Sequence, residues 1–221
     1  RRHRHHLRQG LILPRLRVTT WNINSVRLRQ DLVLKLLAET RPDVLCLQEI
    51  KVMTDLFPHD PYEQAGYKHR AVLGMKGYNG VAILSKFPLA DVRRDLPGDD
   101  EDEHARYIEA ETNGIRVASL YLPNGNPIDT PKFSYKLAWM KRLAIHAREL
   151  LDSEEPFVLG GDFNVTPTDL DVYDPVGSAR DAVCRPESRA AWRELVYLGL
   201  TDAYRAMHPD ETRAYSYWDY R

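Results

Sequence analysis

Two rhythms of apolar and polar residues run along the chain, and each change of rhythm marks an element. Arg17–Asn24, "RVTTWNIN", is rich in β-branched and aromatic residues and ends in two asparagines, which predicts a strand. In Ser25–Thr40, "SVRLRQDLVLKLLAET", Leu28, Leu32 and Leu36 recur every fourth residue, with Val33 and Leu37 beside them. That spacing predicts an amphipathic helix with Ser25 near its start and Pro42 as its stop. Asp43–Glu49, "DVLCLQE", is a continuous apolar run closed by an acid, the pattern of a strand covered on both faces. "GVAILS", "RYIEAET" and "IRVASLYLP" predict further strands, the last two joined as a hairpin through "TNG". Lys132–Leu151 predicts a long helix with Leu137, Met140, Ala144 and Ala147 along one face, followed by a strand in "PFVLGGD". Arg189–Leu200 predicts another helix closed by Gly199. With no linker, repeat or low-complexity tract, the reading is one α/β domain of mixed strands covered by helices.

Composition adds limits. The 221 residues are 43% hydrophobic and 29% charged, which suits one domain with a sizeable core. The apolar runs are too short to cross a bilayer, so no membrane is expected. Two cysteines, Cys46 and Cys184, make no disulfide framework and point to a reducing, cytoplasmic setting. Net charge is −1, but the first 17 residues hold six arginines and no acid, leaving 25 basic against 32 acidic residues. Residues 1–15 read as a disordered basic, histidine-rich tail without the apolar centre of a secretory signal. A phosphate-binding surface on so acidic a body must be local, or a metal must supply positive charge.

Polar residues recur at the predicted strand ends: Asn22 and Asn24, Glu49, Tyr121 and Asn124, Asp162 and Asn164. Alone, each has an ordinary structural reading as a turn, cap, core or solvated residue. Asp162 in "GGDFN" is harder to dismiss, because two glycines allow close backbone approach. Two carboxylates with amides form a hard-oxygen set suited to Mg²⁺ or Mn²⁺, and no Cys/His spacing suggests zinc.

"TWNINSVR", "PDVLCLQEIK", "GYNGVAILSK", "LPGDDEDEHARYIEAE", "LYLPNGNP", "GGDFNVTPTDLD" and "YSYWDYR" occur in the order found in the exonuclease III family of abasic-site endonucleases. The chain resembles that family from about Leu16 to Arg221, within the endonuclease/exonuclease/phosphatase superfamily. The resemblance implies a four-layered α/β sandwich that hydrolyses DNA phosphodiesters with Mg²⁺. Glu49 is then the main metal ligand, helped by Asn22. Asp162 orients or deprotonates the attacking water, and Asn164 and Tyr121 contact the scissile phosphate. Tyr78, Asn79, Arg106 and Asn124 match positions at the DNA, with a surface ion pair to Glu103 or Asp102 as the alternative for Arg106. Tyr217 and Trp218 fall at an aromatic pair beside the abasic pocket. The implied partner is duplex DNA with abasic sites or 3′ ends, bound by a monomer.

Two departures accompany the resemblance. "GDDEDE", Gly98–Glu103, is an acidic run that DNA should avoid, read as a solvated loop facing away. The family pattern also continues with a late Asp and an "SDH"-type segment whose His completes the centre, and this sequence has no Asp-His dipeptide. The expectation is a carboxy-terminally truncated chain lacking the last strands, with a catalytically inactive DNA-binding remnant as one alternative. A sister phosphoesterase acting on lipid or nucleotide phosphates is the other.

Overall fold

The apolar run of β2 (Val44–Gln48) lacks alternation because it is buried on both faces. In the computed structural model, which describes residues 15–216 and 220, its side chains divide by parity between two cores. Leu45 and Leu47 enter a core with Val33 and Leu37 of α1 (Gln30–Thr40) and Tyr62 of α2 (His59–Gln64). Val44 and Cys46 face the other way and meet the second sheet.

The first sheet is ordered β1-β2-β4-β3, with β1 (Val18–Asn22), β3 (His69–Leu73) and β4 (Val81–Ser85). The second runs β5-β6-β7-β8: β5 (Ala90–Arg94), β6 (Tyr107–Thr112), β7 (Ile115–Tyr121) and β8 (Phe157–Asp162). Ile108, Ala110 and Val117 pack against Val44, Cys46, Ala71, Val81 and Ile83, closing the sheets face to face. On the outer face of the second sheet, Tyr107, Ala118 and Leu120 lie under α3 (Pro131–Asp152) and α4 (Pro186–Val196). A short α5 (Ala203–Met207) follows. The layers are helix, sheet, sheet, helix, the four-layered arrangement expected from the resemblance.

Both sheets are mixed. β1 pairs parallel with β2, and β7 pairs parallel with β8, while the remaining pairings are antiparallel. Asn113 and Gly114 join β6 to β7 with φ of 50° and 74°. Two successive positive-φ residues give the turn twist that matches a hairpin. Gln48 ties the sheets together: its Nε2 donates to Thr20 Oγ1 (3.1 Å) and Ser119 Oγ (3.0 Å), and Ser119 donates to Leu47 O (3.0 Å).

A second buried polar knot lies under α3. Glu109 of β6 accepts from Tyr107 Oη (2.5 Å) and Arg93 (3.2 Å) and pairs with His146 Nε2 (2.9 Å). His146 Nδ1 lies 3.3 Å from Glu149. The carboxylate and imidazole neutralise each other where water does not reach.

Several elements differ from the sequence reading. α1 starts at Gln30 rather than near Ser25, whose φ of 90° places it in a turn. Leu28 and Leu32 are 75% and 49% exposed, so the buried stripe is Val33 and Leu37. Leu36 packs at the edge of their core, so the fourfold leucine spacing follows the rim of the helix rather than its buried face. On α3 the buried face runs through Lys136, Trp139, Met140, Leu143, His146, Ala147 and Leu150, so Leu137 and Ala144 are its flank. β3, β5, α2 and α5 have no counterpart in the sequence reading. β5, "ADVRR", is a charged edge strand with a register shift, which hides its period and blunts the edge. Cys46 and Cys184 are buried free thiols. Among the described residues, no helix is long and apolar enough to cross a membrane.

Candidate active site

The two parallel strand pairs deliver four predicted site residues to one place. Asn22 ends β1, Glu49 follows β2, and Tyr121 and Asp162 are register partners at the ends of β7 and β8. Asn22 bridges the sheets. Its Nδ2 donates to Glu49 Oε1 and to Asp162 Oδ2, both at 2.8 Å, while its Oδ1 accepts from Asn24 N (3.1 Å). One amide therefore holds two carboxylates from opposite sheets in a fixed relation.

The chain turns sharply here. Asn24, Glu49, Lys51, Asn79 and Asn164 all have φ between 46° and 54°. For Glu49 and Lys51, with ordinary side chains, this conformation costs about 1–2 kcal/mol each. Backbone bonds hold it: Ser25 N to Glu49 O (2.7 Å), Ile50 N to Gly80 O (3.2 Å) and Lys51 N to Asn79 O (3.0 Å).

On the other sheet, Asp162 Oδ1 accepts from Asn164 N (3.0 Å). Asn164 Nδ2 donates to Leu122 O (2.8 Å), and its Oδ1 accepts from Asn124 Nδ2 (3.2 Å). Each amide nitrogen keeps one further N–H for a ligand. Burial pushes the Asp162 carboxyl upward, and the nearby charge of Glu49 adds to this, against the hydrogen bonds from Asn22 and Asn164 and the charge of Lys136. Burial, then the charges of Glu49 and Asp162, push the Tyr121 phenol well up, so it is a protonated donor at neutral pH.

Arg106 pairs with neither Glu103 nor Asp102. Its Nη1 donates to Tyr121 O (3.2 Å), and its guanidinium lies 4.9 Å from the Tyr121 ring centroid and 5.8 Å from that of Tyr135. Asp102 instead binds Arg142 Nη1 (2.8 Å) and Tyr135 Oη (3.0 Å), which anchors the acidic loop on α3. The other acids of that run stay at the surface, so the solvated reading holds for them and fails for Asp102.

Two clefts adjoin the cluster, and each has basic residues among those that line it. One, of about 400 Å³, opens beside Tyr121 and Asn124 and is lined by His104, Arg106, Lys132 and Tyr135 among others. The other, of about 380 Å³, reaches the cluster through Lys51 and also carries Arg27, Lys76 and Met53. Tyr78 is 57% exposed on the neighbouring turn, whereas Asn79 is buried and points its amide at Met75 Sδ (3.3 Å). Arg27, Lys51, Lys76 and Lys132 escaped the sequence reading. Spread through four segments, they form no run of positive charge, and "EIK" and "MKGYNG" were the available signal.

Other motif residues have scaffolding contacts. In "PTDLD", Thr168 and Asp171 form a capping box, Asp171 pairs with Arg205 (2.7 Å), and Arg189 binds Asp169 (2.9 Å) and Thr166 O (2.9 Å). In "WDYR", Tyr220 Oη accepts from Trp21 Nε1 (2.8 Å) and donates to Asn22 O (2.6 Å). Tyr217 and Trp218 lie outside the described residues, as does the amino-terminal basic tail up to residue 14.

The donors suit a hard divalent cation. Glu49 offers carboxylate oxygens, and Asn22 keeps one lone pair on the amide oxygen that accepts from Asn24 N, while among the described residues no cluster of three His, Cys, Asp or Glu side chains forms. Lys51 Nζ sits 3.2 Å from Glu49 Oε2, so this carboxylate already attracts a cation. A small oxygen set fits a hard divalent cation better than zinc.

Comparison with known proteins agrees with this geometry. Residues 19–221 match the Endonuclease/Exonuclease/phosphatase family. The chain is 33% identical over 219 residues to exodeoxyribonuclease III of Haemophilus influenzae, covering 93% of this chain and 81% of that protein. An AP endonuclease structure from Archaeoglobus fulgidus superposes with a TM-score of 0.86 at 39% identity, over 94% of this chain and 79% of that one. A 3′ phosphatase, NExo, from Neisseria, bound to a product DNA hairpin, gives a TM-score of 0.89 at 39% identity, over 94% and 80%. With two mixed sheets that meet at an Asn–Glu–Asp cluster, and these relatives, the chain belongs to the endonuclease/exonuclease/phosphatase family, in its exodeoxyribonuclease III and AP endonuclease branch.

Proposed function

We propose that the chain is a Mg²⁺-dependent DNA phosphodiesterase of base-excision repair, in which Mn²⁺ can substitute. It incises duplex DNA at abasic sites and removes nucleotides from 3′ ends, acting as a cytoplasmic monomer. The observation that carries this reading is Asn22 bridging Glu49 and Asp162 at the joined ends of two sheets. An AP endonuclease and a DNA-bound 3′ phosphatase among the structural relatives support DNA as the substrate.

Glu49, with Asn22, would hold the cation. Bound there, a divalent ion supplies Lewis-acid polarisation of the phosphoryl group and offsets its charge. Asp162 orients the attacking water and takes its proton, and burial raises its carboxyl toward the range useful to a base. The Tyr121 hydroxyl and the remaining Asn164 N–H donate to phosphate oxygens, in positions fixed before substrate arrives. Arg106, Asn124 and Tyr78 contact the backbone, and Asn79 acts by shaping its turn. Tyr217 and Trp218 are assigned to the abasic pocket from the motif alone. The basic residues lining the two clefts support a local polyanion path on a body that is acidic overall.

The test incubates the chain with an abasic-site duplex and Mg²⁺, alongside Asp162→Asn and an EDTA control. Incision is expected from the wild-type chain and from neither control. A folded chain that binds the duplex without cutting it would instead be a DNA-binding protein. Hydrolysis of a phosphoinositide in preference to the duplex would move it to the lipid-phosphatase branch.

A further inference from the structure

Behind the cluster lies a lysine that neither the motifs nor the proposed chemistry use. Lys136 is on α3, its residue entirely buried, on a helix face that is apolar apart from His146. Its Nζ donates to Pro123 O (3.0 Å) and Asn164 O (2.5 Å), and among the described residues it forms no ion pair. A buried ammonium without a carboxylate partner is costly, so a purely structural pin would be better made from an apolar side chain.

The two carbonyls are informative. Pro123 precedes Asn124, and Asn164 is itself a site residue. Asn124 and Asn164 are joined by their side chains, and Asn164 returns to Leu122 O at the end of β7. Lys136 thus closes a ring that joins the loops after β7 and β8 to the long helix. Gly125 makes room for it: its φ is 92°, and a Cβ there would lie 2.7 Å from Lys136 Cδ.

We propose that Lys136 is a positioning residue for the phosphodiester chemistry, locking the Asn124 and Asn164 amides in the orientation that receives the phosphate. Burial pulls its ammonium down to about 7, opposed by Asp162 and Asp181 and aided by Arg106. Charged or neutral, the nitrogen keeps at least two N–H bonds, enough for both carbonyls, so the lock does not depend on its protonation.

The kinetic arm of the test rests on the function proposed above; the exchange arm does not. Amide hydrogen exchange is followed in peptides covering residues 121–126 and 160–166, in wild type and Lys136→Met. Faster exchange confined to these loops is expected, with the two sheets still protected. Unchanged protection overturns the proposal. Single-turnover incision of an abasic duplex should fall about 10- to 100-fold, with duplex affinity within about threefold. In an Asn164→Ala background the same substitution should cost less than about threefold, because Lys136 acts through Asn164. Equal losses in both backgrounds would mark it as merely structural. If Lys136→Met does not fold, Lys136→Leu, which likewise lacks an N–H donor, is read in the same way, and wild-type loop protection in it overturns the proposal. A wild-type chain that fails to incise removes the function proposed above, and exchange alone then decides Lys136.

Discussion

Gly160 and Gly161 precede Asp162 and look equivalent in "GGDFN", but their surroundings separate them. A Cβ added at Gly161 would lie 2.0 Å from Leu120 O and 2.9 Å from Leu120 C and N, while at Gly160 the nearest atom, Ala118 O, would be 3.5 Å away. Leu120 and Gly161 are partners in the parallel β7–β8 ladder, so the obstacle is backbone and cannot swing aside. Gly161→Ala must push β8 off β7 by about 1.5 Å to reach ordinary contact. Asp162 moves with it, stretching its 2.8 Å bond from Asn22 and its 3.0 Å bond from Asn164 N beyond hydrogen-bond range. Overpacking of this kind costs about 1–3 kcal/mol, and each lost bond about 1 kcal/mol. The sum, about 3–5 kcal/mol, corresponds to a melting temperature lower by roughly 6–20 °C for a chain of this size. A misplacement of the base on this scale should slow single-turnover incision about 100-fold. Gly160→Ala should be neutral or slightly stabilising, because alanine restricts the unfolded chain and meets only van der Waals contact. Calorimetry and quenched-flow incision of an abasic duplex measure both effects. Wild-type melting and rate in Gly161→Ala, or a larger loss in Gly160→Ala, would refute the reasoning.

Two further outcomes are expected. Lys76→Ala, in the cleft reached through Lys51, should weaken binding to abasic and intact duplex alike and reduce the slope of log affinity against log salt by about 0.9, measured by fluorescence anisotropy across a salt series; an unchanged slope would remove Lys76 from the DNA path. For His146, burial lowers the imidazole pKa, but the hydrogen bonds and charges of Glu109 and Glu149 outweigh it and leave the value raised. Its stabilising contribution is therefore full below about 6.5 and is lost as pH rises through the raised value. His146→Gln should cost roughly 1–3 kcal/mol in urea unfolding near pH 5.5 and distinctly less near pH 8.5; an equal penalty at both pH values would mean the imidazole is not charged in the fold. Glu109, whose burial is outweighed by its partners so that its carboxyl is held low, sets the acid limit of this window, because its own contribution goes as pH falls through that lowered value.

What the sequence determined by itself was local. Continuous apolar runs announced strands covered on both faces, and Asn113–Gly114 announced the hairpin, because these signals depend only on neighbours along the chain. The strand-end polar residues were also legible, and the structure brings Asn22, Glu49, Tyr121, Asn124, Asp162 and Asn164 into one neighbourhood. Tertiary structure decided what no local pattern encodes. The leucine spacing of α1 could not say which face meets the core, since the partners that choose Val33 and Leu37 come from β2 and α2. Arg106 could not be separated from the acids beside it in sequence, because its partners, Tyr121 and Tyr135, come from other elements. Lys136 looked like one polar position on an amphipathic helix until the loops after β7 and β8 supplied two carbonyls to its nitrogen. A charge in sequence is ordinarily a solvated one; only the packing of distant segments shows which of them has been taken out of water, and for what contacts.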